Sequence, residues 1–147
     1  MSRKNIVLCF LSLFFEMIIL LSIRLNFNFV TVIFALVTTV INIVFIPLIY
    51  SIILKYIGKL MIKKQLSVTK CFAFIMPYIF QKVIFASIDI VATIMCLDRI
   101  YIDVIWIVLD VCTTAIVTFK INNELKLNIG KSIFIYLIFF VLNLIIH

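Results

Sequence analysis

Glycine is almost absent from this chain: its 147 residues include Gly58 and Gly130 and no other. Close glycine-on-glycine helix crossings therefore cannot dominate its packing, and bulky Ile, Phe and Leu are expected to interdigitate instead. No Gly-rich phosphate loop can be drawn. Charge is scarce too, at 13% Asp, Glu, Lys and Arg against roughly 25% in a soluble domain. Disorder and nucleic-acid binding both need polar sequence, so neither is expected, and nucleic acid is not a partner. The one histidine, His147, gives no ordinary zinc or haem ligand set. No Gly-x-Ser-x-Gly elbow and no Ser/His/Asp set is present. Neither a metal, a cofactor nor an enzymatic activity is expected. The four cysteines, Cys9, Cys71, Cys96 and Cys112, lack Cys-x-x-Cys spacing and read as small apolar fillers. A disulfide between Cys96 and Cys112 is left open.

What the chain does have is apolar mass. Hydrophobic residues make up 67% of it, and the mean hydropathy is +1.38, which excludes a water-soluble globular fold. Ile and Phe outnumber Ala and Gly, and Lys outnumbers Arg, a bias expected from the AT-rich coding of a low-GC bacterium. About 20 apolar residues carry a helix across a bilayer. The stretches Asn5–Ile23, Asn28–Leu54, Cys71–Leu97, Val104–Phe119 and Ser132–Ile146 qualify or nearly do, so the expected fold is an all-α, polytopic bundle of five spans in one membrane domain. The fourth stretch is short unless its helix begins near Asp98. Arg3 and Lys4 followed by an apolar run resemble a secretory signal, but Glu16 interrupts the run and no small-x-small site follows, which predicts an uncleaved anchor.

Lysine and arginine set the expected orientation. With the N-terminus inside, the inner side carries Arg3, Lys4, Lys55, Lys59, Lys63, Lys64, Lys70, Lys120, Lys126 and Lys131. The outer side carries Arg24 and Arg99, and Lys82 lies within a span. The protein is thus expected in the cytoplasmic membrane, N-terminus inside, with anionic lipids at its basic inner face. Lys55, Lys59 and Lys63 recur every four residues and predict a basic amphipathic helix at that surface, continued by Lys64 and Lys70. Pro47 and Pro77 fall at similar depth in neighbouring spans, which fits either a matched pair of kinks or prolines simply tolerated in lipid. The charged turn formed by Asp98, Arg99 and Asp103 reads as solvated.

Each span carries one stripe of polar and small residues at helical spacing: Cys9, Ser12 and Glu16; Thr31, Ala35, Thr38 and Asn42; Tyr78, Lys82, Ala86, Asp89, Thr93 and Cys96; Asp103, Trp106, Asp110 and Thr113; Tyr136, Asn143 and His147. At about 1.5 Å per residue, Glu16, Asn42, Lys82, Asp110 and Asn143 all lie roughly 14–18 Å from the inner boundary. They form an expected intramembrane polar layer, with Asp89 nearer the outside. Intramembrane charges rarely face lipid, so Lys82 is expected to pair with Glu16 or Asp110. Such a layer either fixes helix order or handles protons or cations.

The stretches Leu54-Lys55-Tyr56-Ile57-Gly58-Lys59, Pro77-Tyr78, Ile105-Trp106 and Asn128-Ile129-Gly130-Lys131, with five spans and an inside N-terminus, resemble the Yip family of Ypt/Rab-interacting membrane proteins, bacterial type. The resemblance covers the second to fifth spans. It implies a non-enzymatic accessory protein that packs beside other membrane subunits, in an ABC exporter or an antimicrobial-peptide resistance system, and it carries over no catalytic residue. The alternatives are a small proton-coupled carrier built on Glu16, Lys82 and Asp110, and a stand-alone bacteriocin immunity protein. Self-association is a further expected partnership.

Overall fold

A computed structural model describes residues 3–63 and 65–146, and within them it is entirely helical. Lys64 and His147, expected in the basic surface and the polar stripe of the last span, lie outside the described residues. Helix α1 covers Arg3–Leu25, α2 Phe29–Val40, α3 Ile46–Ile57, α4 Val68–Ile94, α5 Arg99–Leu125 and α6 Ile129–Ile146. A π-helical turn at Ile41–Phe45 joins α2 to α3, so the apolar run Phe29–Leu60 is one continuous helical rod. Four helices are long and apolar enough to cross a membrane, and α6 is a shorter apolar helix. Many large apolar side chains point outward, Phe15, Phe34 and Phe119 among them. This is the surface of a multi-pass membrane protein, whose outer face meets acyl chains rather than water.

Each turn has a local cause. Asn26 takes a left-handed conformation (φ 66°) that asparagine tolerates better than most residues. Asn28 then caps α2, its Oδ1 accepting from the Thr31 N–H at 2.8 Å and the Thr31 hydroxyl at 2.9 Å. Ser67 opens α4 by accepting from the Lys70 N–H at 3.2 Å. That helix closes with a Schellman pattern: Cys96 is left-handed (φ 53°), and the Leu97 N–H bonds the Ala92 carbonyl at 3.0 Å. Helix α5 ends at left-handed Lys126, and Asn128 caps α6 through the Lys131 N–H at 3.0 Å.

The helices outrun the apolar stretches. Helix α5 has 27 residues where the sequence predicts Val104–Phe119, because Asp103 and the polar run Asn122, Asn123 and Glu124 stay helical. Helix α4 starts earlier and stops earlier than Cys71–Leu97, set by its two caps. The basic helix expected around Lys55, Lys59 and Lys63 is helical as far as Ile62 and continues the preceding apolar helix. Lys55 lies in the last turn of α3, Lys59 in a π-helical turn at Gly58–Ile62, and Lys63 is its left-handed cap (φ 55°). The lysines therefore prolong a membrane-crossing rod.

Contacts divide the chain into two compact units. The first combines Met1–Ile46 with Ile79–Trp106, the second Pro47–Tyr78 with Ile107–His147. In the first unit α1 packs on α2, and small side chains are prominent in the interior: Thr31, Ala35 and Thr39 recur every four residues on α2, with Ala86 and Ala92 on α4. Small residues at this spacing let helices approach closely, so alanine and threonine fill the role glycine leaves open. The expected bulky interdigitation characterises the second unit, where Tyr50, Phe74, Ile75, Val117, Ile121, Ile135 and Phe139 are fully buried.

The two prolines do not behave as a matched pair. Pro47 follows the π-helical turn, in which the Ile46 N–H reaches the Ile41 carbonyl instead of the one four residues back. The wider register absorbs the missing proline N–H and the ring's clash. Pro77 sits inside an unbroken α4 and leaves the Ala73 carbonyl without its helical donor. The Lys120 ammonium on α5 supplies the replacement, donating to the Ala73 oxygen at 2.8 Å. Lys120→Met should therefore lower stability by about 1 kcal/mol. In a Pro77→Ala background the residue-77 N–H takes the same carbonyl, so the loss should vanish. Thermal unfolding in detergent of the wild type, both single variants and the double variant checks this.

Candidate functional site

Within the first unit, α1 and α4 meet through two carboxylates. Glu16 Oε1 accepts from the Ser87 hydroxyl at 2.7 Å and, more weakly, from Ser12 at 3.4 Å. Glu16 Oε2 is buried and has no hydrogen-bond partner among the described residues. Nearer the end of α1, one nitrogen of the Arg24 guanidinium bonds both oxygens of Asp89, at 3.0 and 3.2 Å, and Thr93 at 3.4 Å. Asp89 is largely buried and Arg24 half-exposed, an arrangement that lets the arginine head reach water while it neutralises the acid. Lys82 stands over the Trp106 indole at 3.9 Å from the ring centre, and Phe85 meets the same indole edge-on at 4.4 Å. Indole is the best of the aromatic partners for such a cation–π contact. Asn42 turns back on its own helix, donating to the Thr38 carbonyl at 2.9 Å.

Within the second unit, four helices converge on one amide. The Tyr50 hydroxyl of α3 donates to Asn143 Oδ1 of α6, and Asn143 Nδ2 donates to Thr114 Oγ1 of α5 at 3.3 Å. Thr114 also shares a hydrogen bond of 3.0 Å with the Tyr78 hydroxyl of α4. The rings enclose this chain: Tyr50 meets Tyr78 edge-on at 5.3 Å and Phe139 at 5.7 Å. Every member is neutral, so the set needs no counter-ion. Asp110, 1% exposed, lies one turn before Thr114 on α5.

At the lysine-rich end of the same unit, Lys70 pairs with Glu124 at 3.0 Å. Lys55 and Lys59 line a cleft of about 420 Å³ with Ile52, Tyr56, Gln65 and Val68. Lys63 is exposed. The charged turn at Asp98, Arg99 and Asp103 is exposed as well, and no group of metal-ligating side chains occurs among the described residues. Cys9 and Cys71 are buried free thiols, while Cys96 and Cys112 are exposed and free, so the disulfide left open above is not formed.

The members of the expected polar layer fall in both units. Glu16, Asn42, Lys82 and Asp89 belong to the first unit, Asp110 and Asn143 to the second. Of the two carboxylates expected for Lys82, Glu16 is engaged by serine hydroxyls instead. Tyr50, Thr114, Ser87 and the Arg24–Asp89 pair were not legible in advance. Tyr50 sits in an apolar run with no polar periodicity, and Arg24 reads as a loop charge. Thr114 carried a signal, its four-residue spacing from Asp110. No protein-family model, no curated protein and no solved structure matches this chain.

Asn143→Leu strands the Tyr50 hydroxyl and removes a donor from Thr114. Each buried polar group left unsatisfied costs about 1–3 kcal/mol. Thermal unfolding should show a clear drop for Asn143→Leu and partial recovery for Asn143→Leu with Tyr50→Phe, which removes the stranded hydroxyl.

Proposed function

We propose that this chain is a non-enzymatic accessory protein of the cytoplasmic membrane of a low-GC bacterium. In this reading it crosses five times with its N-terminus inside, and it packs beside other membrane subunits. The observation that carries the reading is the neutral set of Tyr50, Tyr78, Thr114 and Asn143, which ties four helices together through mutual hydrogen bonds. Polar groups satisfied by one another order a bundle, whereas a transport path keeps them available to a passing solute. The wide apolar outer faces of α1 and α2 suit contact with neighbouring helices as well as with lipid. The resemblance to Yip proteins points to a partner such as an ABC exporter or a peptide-resistance system. The lysine-rich end then lies inside, where anionic lipids attract it.

Purification from native membranes in a gentle detergent should recover stoichiometric membrane partners. A chain that confers its full phenotype alone in a foreign host overturns this reading, and protection against a bacteriocin in that host would make it a self-sufficient immunity protein.

One observation favours a second reading, a small proton-coupled carrier. Glu16 keeps a buried oxygen without a hydrogen-bond partner among the described residues, and a carboxylate within a span is a functional candidate by its cost alone. Lys82 and Asp110 would then be the other ionisable members. In proteoliposomes this reading requires uptake that follows an imposed pH gradient and is lost in Glu16→Gln. Uptake indifferent to both dismisses it.

A further inference from the structure

We propose that the cleft between the end of the Phe29–Leu60 rod and the start of α4 binds the headgroup of a single anionic phospholipid. Lys55 and Lys59 lie one turn apart and both open into this cleft of about 420 Å³. The Tyr56 phenol and the Gln65 amide add neutral donors, and no acidic residue lines it. Glu124 of α5, in the same unit, is paired with Lys70. Two ammonium groups and two neutral donors around one volume match a phosphodiester, which carries one negative charge and several acceptor oxygens.

The remaining walls choose the source of that phosphate. Ile52 and Val68 are apolar, and both belong to helices that cross the membrane. A soluble anion gains nothing from such walls, whereas the glycerol and upper acyl carbons of a lipid bury against them. The cleft also lies where the apolar rod gives way to lysines, the level at which headgroup phosphates sit. The site rests on the multi-pass membrane architecture and holds under either functional reading. It narrows the general attraction of the lysine-rich end for anionic lipid to one bound molecule at one place.

Native mass spectrometry of the purified full chain, titrated with phosphatidylglycerol or phosphatidylcholine, tests this. One phosphatidylglycerol should bind in preference to phosphatidylcholine. Lys55→Gln with Lys59→Gln should weaken that binding about thirtyfold, from the attraction of two lysines near a membrane surface. Lys126→Gln with Lys131→Gln, which removes the same charge outside the cleft, should leave it within about twofold of wild type. Tyr56→Phe keeps the fold and both lysines and should weaken binding about threefold; it decides the matter should the double lysine variant fail to fold. Equal losses in both lysine pairs, or none in the cleft variants, overturn the proposal in favour of diffuse surface attraction. Displacement of the lipid by millimolar inorganic phosphate overturns it in favour of a soluble anion.

Discussion

Asn143 is where the arrangement of α3, α4, α5 and α6 within the second unit is decided. Its amide accepts from Tyr50 and donates to Thr114, which in turn meets Tyr78. Apolar packing alone discriminates poorly between helix registers in lipid, because acyl chains are as apolar as leucine. A hydrogen-bond chain has no such tolerance: rotating or sliding one helix leaves groups bare in a medium that cannot solvate them. The surrounding rings of Tyr50, Tyr78 and Phe139 give this polar line a close-fitting apolar sleeve. Specificity and cohesion thus come from different atoms of the same residues.

The same logic governs the prolines. A carbonyl that loses its helical donor inside a membrane protein must find another. Near Pro47 the backbone shifts to a π-helical register; for Pro77 a side chain from another helix reaches in. Lys120, which sequence alone places in a basic loop, thereby completes the backbone bonding of α4. The first unit handles its charges differently, with Glu16 held by hydroxyls, Asp89 by a guanidinium and Lys82 by an indole face.

The architecture was largely legible in advance, because apolar runs of 20 residues have one good interpretation. Helix ends were less so. The caps at Asn28, Ser67 and Asn128 are local side-chain geometries, and the polar end of α5 stays helical well past its last apolar stretch. Among the polar residues, the sequence marks which ones are unusual for a membrane but not what each one meets. Glu16 and Asp89 stood out as acids within spans; that one meets Ser87 and the other Arg24 depends on how α1 lies along α4. Tyr50 was invisible because its ring reads as filler while its hydroxyl does the ordering.

Lys120 also makes α4 depend on its neighbour. Until α5 is alongside, the Ala73 carbonyl of α4 lacks the Lys120 ammonium, a contact worth about 1 kcal/mol. Helix α4 is therefore better satisfied with α5 beside it than alone. The short turn at Cys96 and Leu97 keeps the next helix close behind it, so the partner that completes the backbone of α4 is the helix that follows it directly in the chain.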